Sequence, residues 1–133
     1  MPPGDAEDIK DEDDIWRRIS PVPGPQLTYE HDEGRWRPSS AAFADSDGAA
    51  DPMSALLARE DTPTRALRGR WTGWFLAILQ ARVFRGDGQV IARDPTTEDP
   101  NHLLIHGRKP PKVRRHWARL ARWVIPPNLP PPP

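Results

Sequence analysis

The chain has 133 residues, room for at most one domain. It contains no cysteine, which excludes disulfides, thiolate metal sites and a thiol nucleophile. Its net charge of zero hides an uneven distribution: residues 1–64 stand at −9 and residues 65–133 at +9. The simplest reading is internal compensation, with the acidic end screening the basic half. The functional reading is a basic surface for a polyanion, gated by that acidic end.

The first fourteen residues, "MPPGDAEDIKDEDD", hold seven acidic groups and only two large apolar side chains, Met1 and Ile9. Such a composition predicts a disordered acidic tail over 1–14. There is no basic region followed by an apolar run, so no secretory signal is expected. The longest apolar run, "WFLAIL" at 74–79, is too short to span a bilayer. A cytoplasmic location with no membrane partner is the expectation by elimination, and the Ala, Arg, Pro and Asp richness suggests a bacterial coding bias.

"IWRRIS" (15–20) reads as a strand with Ile15, Arg17 and Ile19 on one side and Trp16 and Arg18 on the other. "QLTYE" (26–30) is a second strand, followed by a turn at "HDEG". "RWRPSSAAF" (35–43) follows, and Pro38 keeps it out of a sheet centre. "ADSDGAADP" (44–52) is a loop. "MSALLARE" (53–60) fits a buried strand or a short helix. In "TPTRALRGR" (62–70), Thr62 can cap a short helix whose first position is Pro63.

The strongest apolar segment is "GWFLAILQARVFR" (73–85), whose first half suits a central strand. "GDG" (86–88) predicts a hairpin turn into "QVIAR" (89–93), or else a helix end before that strand. "DPTTEDP" (94–100) is a loop and "NHLLIHG" (101–107) a short strand. "PKVRRHWARLARWVI" (111–125) predicts a helix with Val113, Trp117, Leu120 and Val124 on one apolar stripe. Lys112, Arg115, Arg119 and Arg122 form a parallel basic row. "PPNLPPPP" (126–133) should extend as a polyproline arm. The expected fold is α+β: a single domain over 15–125, with a small antiparallel sheet, a C-terminal amphipathic basic helix and disordered termini.

His102 and His106 suggest a metal pair at first sight. In a strand they share a face but stand roughly 13 Å apart at about 3.3 Å per residue, too far for one ion. No metal and no cofactor is therefore expected. His102, near Asp99, is the better candidate for a general base. Arg35, Arg37, Ser39 and Ser40 combine guanidiniums and hydroxyls that grip a phosphate or carboxylate, although serines after proline also serve local turns. Should the two loops meet, Arg37, Ser39, Ser40, His102 and Lys109 would line one polar site. The basic helix face offers a nucleic-acid surface, with Trp117 and Trp123 as stacking rings. "RGDGQV" lacks the spacing of a phosphate loop.

Arg17 or Arg18, Ser39 and Glu60 follow the order Arg, Ser, Glu. That order resembles the ADP-ribosyltransferase family. The resemblance implies an arginine on an NAD phosphate, a serine lining the nicotinamide pocket and a glutamate steadying an oxocarbenium ion. The chain lacks that family's Glu-x-Glu and aromatic-Ser-Thr-Ser motifs.

More broadly, "WRRI", "GRWRPSSAAF", "DPMS" and "ARDPTTEDPNHLLIHGRK" resemble a set of short bacterial proteins with no assigned activity. That resemblance spans roughly 15–125 and implies one compact domain. The leading functional expectation is a binding protein for a protein partner or a small anionic ligand. The alternatives are an enzyme, either NAD-dependent or a phosphodiesterase using His102 as base, and a nucleic-acid-binding module.

Overall fold

A computed structural model describes residues 4–22, 25–44 and 51–133. Six strands form one antiparallel sheet: β1 (Asp14–Ile19), β4 (Met53–Leu57), β5 (Phe75–Gln80), β6 (Val90–Arg93), β7 (His102–His106) and β8 (Arg122–Ile125). Their order is β6-β7-β4-β1-β5-β8. A separate hairpin joins β2 (Leu27–Glu30) to β3 (Arg35–Pro38). The helices are α1 (Pro63–Ala66), α2 (Ala81–Gly86) and α3 (Pro111–Leu120). The expected α+β class, built on an antiparallel sheet with a C-terminal helix, is the observed one.

Strand alternation divides the sheet into two unlike faces. Ile15 and Ile19 of β1, Ala55 and Leu57 of β4, Phe75, Ala77 and Leu79 of β5, and Leu103 and Ile105 of β7 enter the main core. Phe84 of α2, Trp117 of α3 and Phe43 close this core from above. The Trp117 ring meets Phe84 and Phe43 edge-on, at centroid distances of 4.9 and 6.0 Å. Its indole N–H donates to Asp87 at 2.8 Å, which ties α3 to the end of α2. The opposite face carries a smaller core of Trp16, Leu56, Ala66 and Leu76. Segment 58–74 covers part of it, and its short α1 is capped by Thr62, whose hydroxyl accepts from the Arg65 N–H at 3.2 Å.

Several sequence expectations are decided or corrected. Of the two readings of "MSALLARE" the strand holds, as β4 followed by a 3-10 turn over Ala58–Glu60. "ARVFRG" is not strand but α2, so at "GDG" the alternative of a helix end before a strand holds and the hairpin turn does not. Gly88, at φ +79°, ends that helix, and β5 and β6 are not neighbours. The last helix stops at Leu120, and Arg122–Ile125 pairs with β5 as edge strand β8. Unbonded strand edge, met by Trp, Val and Ile, outweighs the helical stripe. Leu120 is therefore exposed, and Val124 packs with the smaller core.

The domain also starts earlier than residue 15. Ile9 is 1 % exposed, and the Ala6 N–H donates to the Ile91 carbonyl at 2.8 Å. Arg85 holds Asp5 and Asp11 at 2.7 and 2.9 Å, and Arg93 holds Asp8 at 2.5 Å. One apolar anchor and two arginines thus dock a segment whose composition alone argues against order. At the other end Leu129 packs on the main core. Among the described residues, no helix is long and apolar enough to cross a membrane.

Candidate functional site

The incompletely covered face holds a cavity of about 500 Å³. Its floor comes from the sheet: Arg18 of β1, Ser54 and Leu56 of β4, and His102 of β7. Leu56 pairs directly with both Trp16 and His102, so β4 separates the arginine strand from the histidine strand. Two strand spacings, about 10 Å, therefore lie between the backbones bearing Arg18 and His102. One wall is Arg70, Trp71 and Trp74; the other is the loop Thr96–Asp99.

The loop is fixed by its own hydrogen bonds. The Asp99 N–H donates to the Thr96 hydroxyl at 2.8 Å, and the Thr96 N–H to the Asp99 carbonyl at 3.0 Å. Buried Asn101 donates to the Leu57 carbonyl at 3.0 Å and to Asp61 at 2.9 Å. Arg68 reaches across to the Glu98 carbonyl. The wall opposite is aromatic. Trp71 and Trp74 meet edge-on at 4.6 Å, and the guanidiniums of Arg18 and Arg70 each lie 4.4 Å from the Trp71 ring centre. The Trp71 indole N–H is buried and has no hydrogen-bond partner among the described residues.

Arg18 grips Asp99 through two parallel hydrogen bonds of 3.0 Å, with the side chains 10 % and 7 % exposed. Burial works to raise the Asp99 carboxyl, but the hydrogen bonds and charge of Arg18, helped by Arg68, hold it below its ordinary value. Asp99 is thus a partner of Arg18. The histidine is oriented by another carboxylate: Nδ1 of His102 lies 3.0 Å from Asp94 Oδ2 and 3.1 Å from the Asp94 carbonyl. Two acceptors at Nδ1 place a proton there. In the neutral ring the lone pair is then on Nε2, which has no protein partner among the described residues.

The expected site residues are dispersed. Arg35 pairs with Glu33 and Arg37 with Glu30 on the hairpin, at 2.5 and 2.7 Å. The Ser39 hydroxyl donates to the Pro25 carbonyl, and Ser40 opens the 3-10 turn that seats Phe43 in the core. Lys109 is buried, with its ammonium donating to Asp51 at 3.1 Å and to the Ile105 and Gly107 carbonyls at 2.7 and 3.0 Å. Of Arg35, Arg37, Ser39, Ser40, His102 and Lys109, only His102 lines the cavity.

Glu60 is held by Arg93 through bonds of 2.7 and 2.9 Å, outside the cavity that Arg18 and His102 line. Arg17 donates to the Ala42, Ala44 and Ser54 carbonyls. The Arg, Ser, Glu order therefore does not translate into one cavity. His106 shares the β7 face with His102, and the described residues contain no cluster of three metal-ligating side chains. Lys112, Arg115 and Arg119 are exposed on α3, whereas Arg122 is exposed on β8.

Sequence reading missed Trp71, Trp74, Arg70 and Asp94. The available signal was "RGRWTGW": two indoles, three residues apart, in a segment that two glycines keep from extending a core stripe. Comparison with family models, with curated proteins and with solved structures gives no match.

Proposed function

We propose that this protein binds a small molecule with a planar ring and an anionic group, and that the cavity beneath the Thr96–Asp99 loop is its site. One observation carries the reading: two indoles, the exposed guanidinium of Arg70 and the open Nε2 of His102 border a single cavity of about 500 Å³. Ligand cavities have this size, about 300–1,000 Å³, and this mixture of apolar wall and a few polar groups. Trp74 offers ring contact, Arg70 a counter-charge and His102 a hydrogen-bond acceptor. Arg18 and Asp99 neutralise each other and serve as scaffold.

Binding is tested on the full chain with nucleoside monophosphates, NAD and aromatic carboxylates as probes. At least one should bind saturably. Trp74→Leu should weaken it at least about five-fold, since ring stacking contributes about 1–3 kcal/mol. No binding by any probe, or binding indifferent to Trp74→Leu and Arg70→Ala, would sink the reading.

The Asp94–His102 contact supports a second reading, in which the same cavity is catalytic and Nε2 takes a proton from the reacting group. Recovery of the bound probe separates the two. Unchanged probe supports binding alone. Conversion that His102→Gln abolishes, while affinity stays within about two-fold, supports catalysis.

A further inference from the structure

A second aromatic surface is occupied by the chain itself. Tyr29 and Trp36 pair across the hairpin, with rings edge-on at 5.3 Å. Trp123 of β8 donates its indole N–H to the Trp36 carbonyl at 3.1 Å, so hairpin and sheet edge form one surface. The chain leaves β8 at Pro126 and runs back across that surface. Trp36 donates its own indole N–H to the Pro130 carbonyl at 3.1 Å, and Leu129 packs on the core. A cleft of about 310 Å³ remains between arm and rings.

We propose that Tyr29, Trp36 and Trp123 form a recognition groove for proline-rich extended segments, filled in cis by residues 126–133 and in trans by a proline-rich segment of a partner protein. The chemistry matches on both sides. Proline lacks an N–H, so such a segment can be held only through its carbonyls and rings. The groove supplies an indole N–H for one carbonyl and three aromatic rings for the pyrrolidines. A polyproline segment is already extended when free, so little ordering entropy is lost on docking. The cis arm shows which ligand fits, and its attachment at Pro126 raises its local concentration. A partner must therefore displace it.

The test uses the full chain and fluorescently labelled octapeptides: a copy of the arm, PPNLPPPP, and octaproline. Wild type should bind both weakly. Leu129→Ser, which loosens the cis arm, should bind both at least about five-fold more tightly. Adding Trp36→Phe, which keeps a ring but removes the donor, should reverse about five-fold of that gain. The Trp36 and Trp123 indole N–H resonances of wild type should also shift with either peptide at about 1 mM. This second readout does not depend on any variant folding. No shift of these resonances in wild type, or equal binding by wild type and folded Leu129→Ser, overturns the proposal. Concentration-dependent dimerisation of wild type without octaproline binding also overturns it, since the groove would then serve arm exchange between copies.

Discussion

The two faces of the sheet are built from the same strands yet differ in kind. Beneath α2 and α3, β1 contributes Ile15 and Ile19, and β7 contributes Leu103 and Ile105, all buried against Trp117 and Phe84. On the other side the same strands contribute Arg18 and His102, the covering segment supplies indoles, and the Thr96–Asp99 loop supplies carboxylates. The first face is closed mainly by apolar area, which is non-directional, and the buried Arg17 on it is satisfied by backbone carbonyls. The second is held by a few directed bonds. Alternation along a strand thus lets one sheet stabilise the domain and present chemistry at once.

The comparison predicts a graded series of effects. Trp117→Ala on the sealed face should cost about 4 kcal/mol in chemical denaturation. It should leave probe affinity unchanged in whatever fraction stays folded. Asp99→Ala on the open face should cost about 3 kcal/mol, because Arg18 keeps a buried charge without its partner. It should also weaken probe binding, since the loop loses its tie to β1. A variant that lost stability but kept full affinity would detach the loop from the site.

Gly107→Ala lies at the end of β7. The glycine has φ +144°, and an added Cβ would stand 2.8 Å from the Gln89 side chain. Backbone strain alone should cost about 2 kcal/mol, read as a lower denaturation midpoint at unchanged slope.

Acid should act more gently at first. In Asp51 and Asp99 burial opposes ionisation, but the Gly107 N–H and Lys109 at the first, and Arg18 at the second, win and lower the carboxyl. Arg93 lowers Glu60. A depressed folded-state value means stability is fully present above the unfolded-state value and is lost as pH falls from there through the folded-state value. Stability should be flat above about pH 5 and decline below about pH 4. Asp99→Asn should flatten that decline.

The smallest effect belongs to His102→Ala, at most about 1 kcal/mol, because its contact to Asp94 is partly exposed. Its effect on probe binding should nevertheless exceed that of any sealed-face substitution.

Which features were legible follows from the same contrast. The alternation in "IWRRIS" placed Ile15, Arg17 and Ile19 opposite Trp16 and Arg18, and the structure agrees. Thr62 and Pro63 announced α1 through local backbone chemistry. Effects set by distant partners were not legible. Whether "ARWVI" continues a helix or becomes β8 depends on the free edge of β5, and whether "GDAEDIKD" docks depends on Arg85 and Arg93. The site failed for the same reason. "RPSSAAF" is conspicuous as a string, but its Ala42 carbonyl receives Arg17 and its Phe43 fills the core. His102, read as a candidate base beside Asp99, lines the cavity, but the carboxylate at its Nδ1 is that of Asp94, eight residues upstream.

The proposed ligand enters the open face and not the sealed one. The most direct measurement follows all six tryptophan indole N–H resonances of the full chain while the probe panel is titrated. A binding probe should shift Trp71 and Trp74 saturably, with Trp117 unmoved. Shifts confined to Trp117, or no shift at Trp71 and Trp74 with any probe, would contradict that placement.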